Sequence, residues 1–316
     1  MARRSNNLVY LALIFVLLGV FCIPLLGRTY TNYIVIKISI LALYGVAFNI
    51  MFGYCGLLSF GHAIFFSASA YALGVSLTKL NLPIFIALPA GLLTAVIFSI
   101  IVGFLSLRHK EIHFAMITLA LSMLFWGIVM KWRTVTGGED GITGITRSLS
   151  ITSYYYVCFI IVLFCLFLIY KILFSDFGLL LEGIRENEIR VEFSGHSVIR
   201  LRMLAMIISG FFTGVSGILW AFLDGAVTPT IAHWSFSAVP VIAALIGGPQ
   251  SFIGPIVGTA IYVIAEDFIT RFTLYWQIWL GVVVVMIVLF FRGGIVGTIA
   301  KKISDLYYSK LKERLS

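Results

Sequence analysis

Residues 175–202 read SDFGLLLEGIRENEIRVEFSGHSVIRLR, a charged island between two long apolar runs. The rest of the 316-residue chain is greasy: 61% of it is hydrophobic, only 11% is charged, and the mean hydropathy is +1.08. Ordinary soluble domains carry roughly 25% charged residues. Crossing about 30 Å of hydrocarbon takes about 20 apolar residues at 1.5 Å each. Runs of this kind fill most of the chain on either side of the island: Leu8–Leu26, Tyr33–Phe52, Leu57–Thr78, Leu82–Leu107, Ile112–Met130, Tyr154–Phe174, Met203–Leu223, Trp234–Gly247, Phe252–Ala265 and Phe272–Phe291. The reading is an all-α integral membrane protein of about ten transmembrane helices, one transmembrane domain over residues 1–316, with 175–202 a loop inside it. The segments 234–247 and 252–265 are short for full crossings. Each is either a crossing or a re-entrant, broken helix, which is tolerated where protein or a wet cavity surrounds it.

Orientation follows from the basic residues. With the N-terminus inside, the inner loops and tails hold 15 of the 22 Lys and Arg and the outer side holds 7. That imbalance puts both termini and the island in the cytoplasm and the Thr136–Ile145 loop outside. The net charge of +9 is then a topology signal rather than a nucleic-acid surface. Leu8–Leu26 is too long for a signal-peptide core and reads as a retained first helix. Cys22, Cys55, Cys158 and Cys165 show no CxxC spacing, so they read as packing residues. No cofactor or metal is expected.

Several chemistries find no support. The sequence holds no GxxxxGK[ST] loop, no HExxH and no GxSxG elbow. Ionisable groups at membrane depth are few: His62, Lys37 and the pair Glu266-Asp267. Each buried charge costs at least about 2.5–3.5 kcal/mol. A proton-driven carrier usually shows more of them, so transport energy is expected to arrive from outside the chain.

Three motifs remain. Gly53-Tyr-Cys-Gly-Leu-Leu-Ser-Phe-Gly-His-Ala-Ile-Phe-Phe66 sets three glycines beside a polar break. Unwound backbone there would offer Gly56, Ser59, Phe60, Gly61 and His62 to a polar solute. The same small residues equally suit close helix packing, and a hydrogen-bonded interior His is the plainer role for His62. The second motif, Thr136-Gly-Gly-Glu-Asp-Gly-Ile-Thr-Gly144, is turn-rich. Gly138, Asp140 and Gly141 either meet a protein outside or belong to a solvated connector. The third is the island itself, read as one amphipathic helix ending at Gly195. Ile184, Ile189, Val191 and Phe193 form an apolar stripe opposite Arg185, Glu186 and Glu192, and Glu186/Arg190 have the favourable i,i+4 polarity. With four glutamates against two arginines it is too acidic for a typical surface-lying helix, which favours docking into a protein groove. A weaker echo links Gly56-Leu-Leu-Ser-Phe60 with Gly248-Pro-Gln-Ser-Phe252, as an internal duplication or as a coincidence of composition.

Together these motifs resemble the LivM-type permease subunits of branched-chain amino acid ABC importers. The likeness runs through Gly53–Phe66, Thr136–Ile145 and Ile184–Gly195, then Gly247-Gly248, Gly254-Pro255 and Arg292–Gly297. The chain departs at Gly183, where the family usually has Ala, and at Val191-Glu192, which replace a small pair. The resemblance implies a BtuC-like, ten-helix permease in the cell (inner) membrane. It implies three kinds of neighbour besides lipid: a LivH-type permease, two cytoplasmic ATPases that hydrolyse ATP, and an extracytoplasmic solute-binding protein. Gly183, Ile184, Arg185, Glu186, Asn187, Glu188, Arg190, Phe193 and Gly195 would form the element the ATPase grips. A scaffold of this kind also suits urea, short amides or nucleosides, and a passive facilitator is the alternative from another class.

Overall fold

The computed structural model describes residues 29–109, 111–147, 149–273, 275–290 and 293–298. The expected first span, Leu8–Leu26, and both termini lie outside these residues. Helix α1 is Thr29–Asn49 and runs on through a π-helical turn, Ile50–Tyr54. It is followed by α2 (His62–Thr78), α3 (Ile84–Ser106), α4 (Glu111–Lys131) and α5 (Ile151–Leu173). Two short helices occupy the charged island, α6 (Asp176–Glu186) and α7 (Glu188–Phe193). Then come α8 (Val198–Asp224), α9 (Trp234–Gly247), α10 (Gly254–Thr270) and α11 (Trp276–Phe290). A two-residue antiparallel bridge pairs β1 (Ile142–Thr143) with β2 (Ala226–Val227). Five helices, α1, α3, α4, α5 and α8, are long and apolar enough to cross a membrane, and α2, α9 and part of α11 are shorter apolar helices.

The centre of the bundle is α1 and α8. Of the apolar window of each, 72% is buried, against 22% for α3 and α4. Small residues explain α8's place. A Cβ on Gly210 would stand 2.5 Å from Ser99, one on Gly214 2.5 Å from Ala95, and one on Gly217 2.0 Å from the Phe66 carbonyl. This row lets the α8 backbone touch α2 and α3, and Ser69 Oγ donates across it to the Gly214 carbonyl at 2.9 Å. The outer helices carry the converse signature. Phe85, Leu93, Phe104, Ile160 and Phe164 are bare, an apolar surface that suits lipid and not water.

The connections sort to two ends. Those that the basic-residue count puts inside, around Gly53, Arg185, Pro249 and Gly294, meet at one end. Those it puts outside meet at the other: Lys79 Nζ donates to the Thr134 carbonyl at 2.7 Å, the Ile145 N–H to the Gly225 carbonyl at 3.1 Å, and β1 pairs β2.

Two sequence expectations need correction. The span drawn as Leu57–Thr78 begins as a helix only at His62, because Cys55–Gly61 are non-helical after the π turn. The island is not one helix: it breaks at Asn187, whose backbone is extended (φ −159°, ψ 101°) and whose Oδ1 accepts the Arg190 N–H at 3.1 Å. An Asn that caps a new helix outcompetes continuation of the old one. Gly195 then closes α7 at φ +85°, with the His196 N–H reaching the Val191 carbonyl at 3.4 Å.

Candidate functional site: an unwound segment tied to the charged helices

Three of the five residues singled out in the first motif are sealed inside the bundle. Ser59, Gly61 and His62 are buried, Phe60 is half-buried and Gly56 is exposed. Several of the motif's polar groups find partners on other helices. The Phe60 N–H donates to Thr118 Oγ1 (3.1 Å) on α4 and the Ala63 N–H to Ser237 Oγ (2.9 Å) on α9. His62 Nε2 lies 2.8 Å from Ser209 Oγ, which itself donates to the Ala47 carbonyl at 2.6 Å. The rings of Phe48 and Phe65 flank His62 edge-on, so it is held as an interior hydrogen-bonded residue. Its Nδ1, together with Asn49 Oδ1 and Thr213 Oγ1, has no hydrogen-bond partner among the described residues. The sequence reading missed Thr118, Ser209 and Ser237. Their signal is a hydroxyl inside an apolar run, which is common and seldom informative.

A second irregular stretch enters from the opposite end. After β2 the chain passes through the 3₁₀ turn Pro229–Ala232 and starts α9 only at Trp234, with His233 Nδ1 accepting the Ser235 N–H. Since Ser237 on this helix reaches Ala63, the two broken segments converge within the bundle. Helix α9 has 14 residues, about 21 Å at 1.5 Å per residue, too short to cross alone. Phe60 instead joins Phe52, Leu58 and Leu245 in a partly open apolar patch over Phe48, Val241 and Ala244.

The charged island is fastened to this unwound segment. The Arg185 guanidinium donates to the Gly53 carbonyl, and its Cγ would lie 2.9 Å from a Cβ on Gly56. Gly56 itself sits at φ +77°. Gly53 is equally constrained, since a Cβ there would stand 2.0 Å from the Pro249 carbonyl, which also accepts from Asn49 Nδ2 at 2.8 Å. Further along, buried Arg202 at the start of α8 pairs with Glu188. Burial pushes the neighbouring Cys55 thiol up to about 11, against the pull of Arg202. Arg185, expected on the outward polar face, is therefore turned inward.

The expected apolar stripe divides the same way. Ile184 (2% exposed) and Val191 (7%) pack inward, whereas Ile189 (64%) and Phe193 (89%) stand in the open. The break at Asn187 rotates the second half, so Glu186 and Arg190 no longer share one helix. Gly183 lets α7 fold back on α6: a Cβ there would stand 3.2 Å from Val191 Cγ2. Around the break the exposed residues are Glu186, Asn187, Ile189, Arg190, Glu192 and Phe193, with Ser194 and Gly195 after them.

In the Thr136–Ile145 loop Gly138 and Gly141 are used to make the turn. They sit at φ +66° and +69°, and a Cβ on Gly141 would stand 2.2 Å from the Val227 carbonyl. Thr136 Oγ1 ties the turn to the Val129 carbonyl at 2.6 Å, which leaves Glu139 and Asp140 exposed. The other ionisable groups at depth are paired: Lys37 with Glu266 at 3.0 Å, and Asp267 with Arg271 at 2.7 Å and with Tyr30. Among the described residues no group of three metal-ligating side chains assembles.

A bundle of lipid-facing helices around buried broken segments, with a charged helical element on one end, defines the class of multi-pass membrane permeases. The chain belongs to the family of branched-chain amino acid transport system permease components, whose model matches residues 30–292. It is similar to the high-affinity branched-chain amino acid transport system permease protein LivM of Escherichia coli, at 25% identity over 275 residues, 78% of this chain and 65% of that protein. The namesake from Salmonella typhimurium is 24% identical over the same shares. A probable branched-chain amino acid transport permease protein LivM from Methanocaldococcus jannaschii is 26% identical over 264 residues, 70% of this chain and 76% of that one. The match thus spans just under two thirds of the two enterobacterial relatives. No solved structure matches the chain.

Proposed function

We propose that the chain is the LivM-type half of an ATP-driven importer of branched-chain (aliphatic) amino acids in a cell (inner) membrane. It crosses the membrane ten times in a BtuC-like arrangement as one domain, with both termini cytoplasmic. It works beside a LivH-type permease, two cytoplasmic ATPases that hydrolyse ATP, and an extracytoplasmic solute-binding protein. Gly183–Gly195 is the element the ATPase grips, through Glu186, Ile189, Arg190 and Phe193. The segment Gly56–His62 borders the solute path, and Asp140 faces the binding protein.

The observation that carries this reading is the fastening of Arg185 to Gly53 and Gly56. A push on α6–α7 is delivered to the backbone of the unwound segment at Gly53 and Gly56, the latter three positions before the Ser59–His62 stretch. A two-state element biased from outside needs such a rigid contact. The test is amino acid uptake by proteoliposomes holding the permeases, ATPases and binding protein. Phe193→Ala with Ile189→Ala should abolish ATP-driven uptake while the protein still inserts and melts normally. Uptake at the unmodified rate would sink the docking role, and flux without ATPases would favour a facilitator.

A further inference from the structure

Helices α3 and α5 stand apart near the outer end, and α8 forms the floor of a groove of about 330 Å³ between them. One wall is Ile84, Leu88 and Leu92, spaced by four along one face of α3, and the floor includes Ile218 and Phe222. From Ile84 to Leu92 the wall rises about 12 Å, close to the roughly 15 Å of hydrocarbon in one leaflet. At its mouth lies Arg147, stacked over the Tyr154 ring at 5.6 Å. Tyr154 cannot turn to serve it, because its hydroxyl donates to the Leu219 carbonyl at 2.5 Å. Arg147 Nη1 is buried and has no hydrogen-bond partner among the described residues. An arginine N–H shut off from water without an acceptor is costly, so the groove asks for an anionic oxygen attached to something apolar.

We propose that this groove binds one phospholipid of the outer leaflet. Its phosphate accepts from Arg147, and an acyl chain lies along Ile84–Leu92. Guanidinium groups match phosphate oxygens in charge and fork geometry, and the groove behind is the right polarity and length for the tail. At the start of the described chain Tyr30 is held by Asp267 of α10 and by Arg271 just beyond it, and no residue of α1 or α10 lines the groove.

The experiment uses the full chain in phosphatidylcholine nanodiscs doped with a phosphatidylglycerol carrying a photoreactive acyl chain, followed by peptide mapping. Label should collect on α3 and α8 peptides containing Leu88 and Ile218. Arg147→Gln should lower that label about tenfold, the effect of one charge-assisted hydrogen bond, and Arg147→Lys should restore much of it. Val157→Trp, at the half-exposed rim on α5, should block the groove without touching the charge. Equal labelling of the unmodified, Gln and Trp forms would overturn the proposal. So would displacement of the label by inorganic phosphate alone, or crosslinks joining the groove to Leu8–Leu26.

Discussion

Helices α6 and α7 sit side by side on the same end of the bundle, yet α6 turns a charge inward while α7 turns apolar side chains outward. The cation of α6 is spent on a backbone carbonyl of the unwound segment, and Ile184 and Leu181 beside it are buried. On α7 Val191 alone is buried, with Ile189 and Phe193 bare. Water disfavours leaving a phenylalanine open, so its exposure is expected to be relieved by a partner. The contrast teaches that one element can be both a clamp and a handle when a cap splits it into two faces.

The comparison can be broken or sharpened by substitution, read by thermal melting of the purified chain and by uptake. Gly53→Val should be the most damaging. Its side chain has no room against the Pro249 carbonyl, and overpacking of this kind costs about 1–3 kcal/mol or more, so little folded protein should be recovered. Arg185→Ala should follow, losing about 1.5–3 kcal/mol with its charged hydrogen bond and lowering uptake. Asn187→Ala removes the α7 cap and should cost about 0.5–2 kcal/mol, with fraying of α7 visible by amide exchange. Phe193→Ala should change melting by less than about 0.5 kcal/mol while removing uptake. If Phe193→Ala destabilised the isolated chain as much as Arg185→Ala, the division into clamp and handle would fail. The smallest effect concerns pH. Because burial keeps Cys55 protonated up to about pH 11, its peptide should stay unmodified by maleimide at pH 8, where an ordinary thiol of pKa about 8.5 reacts readily.

Much of this was legible from residues alone. Long apolar runs read as helices because only helices and closed barrels satisfy backbone groups in lipid, and these runs are about twice the length of a barrel strand. The island stood out by charge, and Gly195 read as a stop. The glycine-rich stretch at Gly53–Gly61 suited unwinding and close packing alike, and only the structure shows Cys55–Gly61 to be non-helical. The split at Asn187 was not legible. Asn is tolerated within a helix or at a cap, and only the position of Arg190 and the packing of Val191 on Gly183 select the cap. Nor did spacing show that Gly138 and Gly141 serve the turn, since the obstructing carbonyl of Val227 lies far along the chain.

Composition and periodicity by themselves determined that this chain lives in a membrane as helices and which segment stays polar. These follow from the transfer cost of each residue, a local property. The tertiary structure alone decided which helices are central, that Arg185 looks inward, and that Thr118, Ser209 and Ser237 meet the unwound segment. Those depend on which atoms stand within about 3 Å of one another, and partners 58 to 174 positions apart carry no mutual signal in a single sequence.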